Sequence, residues 1–362
     1  MTSLPLRALA PAKINLGLFL GPTRADGRHE LVTVMQSISL ADELTLRAAP
    51  PGSARDESAR DAVPSDAGAG DVGANYESAG DAPPCESAGD IGPRESPGDV
   101  SPSEEGAPDQ VLCPGVEGPP EQNLAALALA AFRVATRWDA PPLALEILKR
   151  VPVAAGLGGG SGDAAAALRL AAAASGLGDH VLLDRLARTL GADVPAQVQP
   201  GRWLARGAGE LLQALPDPVV PLGVLVLPIA RPLSTAAVYA QADRMGLARE
   251  PQELEDRGRA LADALADGSP LPPPELLRND LQDAARALCP EIDPALEQAQ
   301  AAGADAALVS GSGPTVLALF AGSRGPARAR AAARALAERA PGPLAAEPIT
   351  AGFAHPQRDP SG

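Results

Sequence analysis

Four of the five residues from Gly156 to Gly160 are glycine, inside a stretch reading VPVAAGLGGGSGDAAAAL from Val151 to Leu168. A run this rich in glycine is costly inside a strand or a helix. It marks a loop where the backbone turns sharply or closely approaches something. Leu143 to Leu148 (LALEIL) lies before it and alternates like a strand, and the alanine-rich run Ala164 to Ala174 after it reads as a helix. Strand, glycine loop and helix together suit an anion. Without Cβ atoms the loop N–H groups can reach it, and the first helical turn adds unpaired N–H groups at the positive end of the helix dipole. Taken alone, the loop could also be a plain tight turn. It is not a Walker A loop, because no Gly-Lys-Ser/Thr follows. Gly160, Gly162 and Ala165 fit a loose GxGxxA fingerprint, but the surroundings do not read as a dinucleotide-binding βαβ unit.

Two distant stretches narrow the choice. Pro11-Ala-Lys-Ile-Asn-Leu lies near the start, and Ser310-Gly-Ser-Gly-Pro-Thr near the end. With Pro152-x-x-x-Gly-Leu-Gly-Gly-Gly-Ser between them, the order resembles the three motifs of the GHMP small-molecule kinases (galactose, homoserine, mevalonate and phosphomevalonate kinases). Within that family the resemblance is greatest to kinases of a cytidyl-linked sugar alcohol. It implies an α+β fold, with a ribosomal-S5-like first lobe, a ferredoxin-like second lobe and a cleft between them. The expected boundaries are a first lobe over 1–204, a second over 205–354 and a flexible tail over 355–362.

The resemblance also assigns roles. Pro152, Gly156, Leu157, Gly158, Gly159, Gly160, Ser161 and Gly162 would hold ATP, with the Ser161 hydroxyl on a phosphate or on Mg²⁺. Gly162 stands where the family often has Ser, which removes one donor. Asp193, in Gly191-Ala-Asp-Val-Pro, resembles the catalytic aspartate that takes the substrate hydroxyl's proton, and Lys13 its paired lysine. Only Lys13 and Lys149 occur in a chain whose usual cation is arginine. Asn15, Gly311, Ser312 and Gly313 would lie at the substrate. Arg24-Ala-Asp-Gly-Arg-His-Glu-Leu resembles a loop in which an aromatic stacks on cytosine and a histidine bonds its edge. Here Arg28 stands in the aromatic's place and His29 in the histidine's. Thr235 and Tyr239 resemble the pair that closes the base pocket. Homoserine or mevalonate kinase is the alternative within the family. A catalytically dead sensor is the alternative outside catalysis, and a dinucleotide-binding oxidoreductase rests on the loose fingerprint alone.

Composition limits partners. The 362 residues suffice for two lobes with real cores. The net charge of −15 is mostly local: residues 51–110 hold 14 Asp/Glu and 3 Arg, leaving −4 for the rest. No basic stripe argues for nucleic acid. The segment from 50 to 109 carries near-repeats (Glu77-Ser-Ala-Gly-Asp, Glu86-Ser-Ala-Gly-Asp, Glu95-Ser-Pro-Gly-Asp) with almost nothing apolar, so it reads as a disordered insert. Its repeats lack the paired glycines and apolar residue of a calcium-binding β-helix. Three scattered cysteines, no signal-peptide pattern and no long apolar run fit a soluble cytoplasmic protein without membrane contact, monomeric or homodimeric.

Overall fold

The long hairpin at the start sets the frame. In the computed structural model, which describes residues 4–50, 109–116, 119 and 122–359, β1 (Leu6–Thr23) and β2 (His29–Ala48) pair antiparallel around the turn at Asp26 and Gly27. The acidic repeats lie outside the described residues. Next come β3 (Gln110–Leu112), α1 (Leu124–Thr136), β4 (Leu143–Leu148), α2 (Gly159–Ser175), α3 (His180–Leu190), α4 (Val194–Val198), β5 (Arg202–Arg206) and β6 (Leu211–Ala214). A strand of 20 residues spans roughly 65 Å at the usual rise. That length lets one edge of β2 take two partners: β4 along Glu43–Ala48 and β5 along Thr33–Gln36. Register shifts in β1 between Pro11 and Ala12, and between Asn15 and Leu18, bracket Lys13 and Asn15. Such bulges bend a strand and re-aim its side chains.

Asn123 caps α1, its Oδ1 accepting from the Ala125 N–H at 2.9 Å. The expected insert ends before Asp109. That carboxylate accepts from the Arg133 guanidinium on α1 and from the Leu143 N–H at the start of β4. Helix α2 is buried along most of its length, and its alanines let it press against both α1 and β1. A Cβ on Gly162 would lie 3.0 Å from the Pro11 carbonyl oxygen, so this glycine serves close packing of α2 on β1. Pro195 sits in the first turn of α4, where its missing N–H costs nothing.

The second half contains β7 (Leu222–Leu227), α5 (Thr235–Met245), α6 (Pro251–Leu265), α7 (Gln282–Leu288), α8 (Ile292–Ala301), β8 (Ala306–Val309), β9 (Val316–Ala321), α9 (Gly325–Ala335) and β10 (Leu344–Ala346). Its antiparallel sheet runs β10-β7-β9-β8. Strand β7 is buried on both faces. Leu222, Val224 and Val226 join a core with Ile14, Leu16 and Val34 of the hairpin, while Leu225 and Leu227 pack among α5, α7 and α8. The two sheets thus share one apolar core, which fixes the walls of the cleft. This is the expected mixed α+β, two-lobed arrangement.

Two boundaries differ from expectation. β5 and β6 belong to the first sheet, so the change of sheet falls between Ala214 and Leu222 rather than at 205. Among the described residues of the expected tail, β11 (Gln357–Arg358) is held: it pairs with Arg7 and Leu6 on the open edge of β1. A bare strand edge presents unpaired N–H and C=O groups, and the returning chain covers them.

Candidate active site

Ser234 caps α5 through its Oγ, which accepts from the Ala237 N–H, and this starts the helix where Thr235 and Tyr239 project into a cavity of about 560 Å³. Lys13, Asn15, Thr33 and Met35 of the hairpin line the same cavity. So do Pro152, Gly156 to Ser161, Asp193, Gly311 and Ser312. Among the described residues, Tyr239 is the aromatic side chain in that lining.

The glycine stretch does two different jobs. Up to Gly158 it is loop, and from Gly159 it is helix, with Gly158 as N-cap and no side chain capping it. Gly159, Gly160 and Ser161 therefore bring the first three N–H groups of α2 to the cavity without an intrahelical partner. The Gly162 N–H is already bonded to the Gly158 carbonyl at 2.8 Å, and Gly162 does not line the cavity. Gly162 thus belongs to packing, contrary to its expected place among the ATP-holding residues. Gly156 has φ +71, and a Cβ there would stand 2.4 Å from the Ser310 carbonyl oxygen. The two glycine loops meet at this point, and the Ser310 hydroxyl donates to the Gly156 carbonyl at 3.2 Å.

Lys13 is buried and Asp193 half-buried, and their Nζ and Oδ2 lie 3.2 Å apart. Asp193 stands directly before α4, at the end of a loop that a helix fixes in place. The Lys13 ammonium also donates to Asn15 Oδ1 at 3.0 Å. The Asn15 amide in turn donates to Thr33 Oγ1 at 2.8 Å, and that hydroxyl donates to the Gly17 carbonyl at 2.6 Å. Asn15 lines the cavity, but both ends of its amide are engaged in aiming Lys13. The Lys13 backbone N–H bonds the Leu157 carbonyl at 2.9 Å, which ties β1 to the glycine loop.

On the other wall the Thr235 and Ser312 hydroxyls are 3.0 Å apart. Buried Asn279 donates to the carbonyls of Val309 and Gly311 and holds the second loop open. Gly313 does not line the cavity; a Cβ there would meet Val309 at 2.9 Å. Burial, and then the nearby Asp193 charge, push the Tyr239 phenol up to about 12, so it stays neutral at working pH.

Arg28 and His29, expected at the base, are not among the residues that line the cavity. The Arg28 guanidinium points outward onto Asp26, bonding it through Nε and Nη2, and does not line the cavity. His29 is buried behind the wall. Its Nδ1 lies 3.2 Å from the Gly21 carbonyl and its Nε2 3.2 Å from Asp243 Oδ1, and its ring packs against Tyr239 with centroids 5.1 Å apart. Packed in this way, it braces Tyr239 at the edge of the cavity.

Sequence reasoning passed over Thr33, Asn279, Asp42, Lys149 and Asp163. A signal existed for one of them: both lysines of the chain, Lys13 and Lys149, line the cavity. Among the described residues no group of three or more His, Cys, Asp or Glu side chains could hold a metal ion, and no helix is long and apolar enough to cross a membrane.

Known proteins fit this geometry. Residues 123–201 match the family described as GHMP kinases N terminal domain, and residues 261–342 match GHMP kinases C terminal. The 4-diphosphocytidyl-2-C-methyl-D-erythritol kinase of Anaeromyxobacter sp. (strain K) is 36% identical over 342 residues, 93% of this chain and 87% of that protein. The protein of the same name from Corynebacterium jeikeium (strain K411) is 38% identical over 333 residues, 87% of this chain and 84% of that protein. A crystal structure of 4-(cytidine 5'-diphospho)-2C-methyl-D-erythritol kinase superposes with a TM-score of 0.63 at 29% identity, over 94% of this chain and 98% of that one. The homoserine kinase of Cytophaga hutchinsonii shares the fold, with a TM-score of 0.62 at 14% identity over 99% of this chain and 98% of that one. The chain belongs to the GHMP kinase family, among the 4-diphosphocytidyl-2-C-methyl-D-erythritol kinases.

Proposed function

We propose that the chain transfers the γ-phosphoryl group of ATP to the 2-hydroxyl of 4-diphosphocytidyl-2-C-methyl-D-erythritol, in the non-mevalonate route to isoprenoids. The observation that carries this reading is the Lys13–Asp193 pair facing the open N-terminus of α2 inside one cavity. Phosphoryl transfer needs a held triphosphate, a positioned alcohol and stabilised charge at the transferring group. The N–H groups of Gly159, Gly160 and Ser161 hold phosphate oxygens. The Asp193 carboxylate takes the proton of the attacking hydroxyl as the new O–P bond forms and the bond to the ADP leaving oxygen breaks. The Lys13 ammonium, aimed by Asn15, balances the charge that spreads over the phosphoryl oxygens. Tyr239 offers the cytosine a ring face, and the Thr235–Ser312 pair offers hydroxyls beside it.

Mg²⁺ fits this site as a passenger on the nucleotide. It needs few protein ligands and keeps its waters, and Ser161, whose hydroxyl would meet it or a phosphate, lines the cavity. When bound, it neutralises phosphate charge.

Homoserine and mevalonate kinases share the fold at identities too low to carry an activity. The intact Lys13–Asp193 pair disfavours a dead sensor. The test is product identity. The purified chain with ATP, Mg²⁺ and the cytidyl alcohol is expected to give ADP and one new phosphomonoester on the 2-hydroxyl, read by ³¹P and ¹H NMR. No phosphoester, or one on another hydroxyl, overturns the reading.

A further inference from the structure

This chain uses arginine wherever a cation will do and keeps lysine at two positions, both in the cavity wall. Lys13 stands at the proposed reaction centre, and Lys149 has no part in the chemistry described above. Its ammonium sits between two buried carboxylates, contacting Asp42 Oδ2 on β2 and Asp163 Oδ2 on α2, the latter at 2.7 Å. Asp42 is fully buried, and its Oδ1 also accepts from the N–H groups of Arg150 and Val151, at 2.6 and 2.8 Å. Asp163 is the fifth residue of α2, and its Oδ1 is buried without a hydrogen-bond partner. A Cβ built on Gly159 would lie 3.4 Å from the Lys149 Nζ, which places the ammonium beside the first residue of the helix.

Lys149 ends the strand side of the glycine loop and Asp163 begins its helix side. Tied together through one ammonium and anchored on Asp42, the two ends keep a fixed separation. We propose that Lys149 is a positioning residue for the phosphate-binding loop, holding the strand that enters it against the helix that leaves it. The proposal rests on the functional reading above, since it takes the first N–H groups of α2 to be the phosphate site. The residue type follows from the space. A compact ammonium with rotatable donors fits between two carboxylates behind a glycine, while a planar guanidinium needs more room and prefers a flat, two-pronged partner. Removing the cation alone would leave two buried carboxylates facing each other, so a bare truncation tests folding more than function.

The informative variants are therefore Lys149→Met with Asp163→Asn, which lowers the buried charge on both sides, and Lys149→Arg, which keeps it. ADP affinity by calorimetry is the first readout, hydrogen exchange of the 156–162 amides the second, and KM for the alcohol the third. In folded variants the proposal expects ADP to bind roughly 10- to 100-fold more weakly, because the N–H groups that hold its phosphates lose their fixed positions. Exchange should quicken across 156–162 but stay unchanged beyond Leu168, and the alcohol KM should stay within a few-fold. Folded variants with wild-type ADP affinity and exchange would overturn it. So would failure of both variants to fold, which would make Lys149 a general structural residue. If wild-type protein itself does not bind ADP, the functional reading fails first, and with it this proposal.

Discussion

Lys13 and Asp193 approach to 3.2 Å although 180 residues separate them in sequence, one on the opening strand and the other just before α4. Each is held by its own support: Lys13 by Asn15 and Thr33, Asp193 by the start of a helix whose second position is proline. A pair held this firmly is prepared for chemistry before substrate arrives. Asp193→Asn is predicted to lower kcat by roughly 10²–10⁴-fold, the usual worth of a general base, with the fold intact by circular dichroism. Lys13→Ala should also reduce kcat more than it reduces stability. Full activity in folded Asp193→Asn would remove the base assignment.

The two kinds of glycine in the loop separate under substitution. Gly156→Ala meets both a left-handed φ and a carbonyl oxygen at 2.4 Å, so it should destabilise by about 2–5 kcal/mol. Gly160→Ala meets nothing closer than 3.8 Å and lies in a helix, where alanine is preferred by about 1 kcal/mol. It should fold at least as stably as wild type, yet bind ATP more weakly, because its methyl group stands where phosphate must approach. Thermal melts and KM for ATP check both. A Gly160→Ala enzyme with unchanged KM would place the phosphates elsewhere.

Tyr239 is the ring that the cavity offers to a base. Stacking on one base face is worth about 1–3 kcal/mol, so Tyr239→Ala should raise KM for the cytidyl substrate by roughly 5- to 150-fold. Its kcat and its KM for ATP should move much less. An unchanged KM in a folded variant would put the cytosine against another wall.

Arg28 gives the opposite prediction. Its guanidinium is spent on Asp26 outside the cavity, and surface changes of this kind are worth within about 0.5 kcal/mol. Arg28→Ala should leave kcat/KM within roughly twofold. A large rise in KM would mean that the loop swings inward on binding and that Arg28 stacks after all.

Motifs carried by backbone geometry were legible in the sequence. The glycine loop, the helix after it and the strand at Leu143–Leu148 each follow from a local rule, and the structure keeps them. Side chains whose role depends on distant partners were not. Asp42 and Asn279 look like ordinary loop or strand-end residues until the fold sets backbone amides and carbonyls against them. Arg28 and His29 lie outside the cavity lining, because position in a motif fixes where the backbone runs but not which groups the side chain packs beside. Asp26 and Asp243 decide that. The C-terminal residues read as loose because nothing local shows that β1 leaves an edge to be covered.

The most direct test of the account is a comparison of alcohols. Steady-state ADP formation would be measured with ATP, Mg²⁺ and, in turn, the cytidyl alcohol, homoserine and mevalonate, for wild type and for Asp193→Asn. The account predicts the highest kcat/KM by far for the cytidyl alcohol and loss of that turnover in Asp193→Asn. Preference for homoserine or mevalonate, or turnover of the cytidyl alcohol that survives the loss of Asp193, would contradict it.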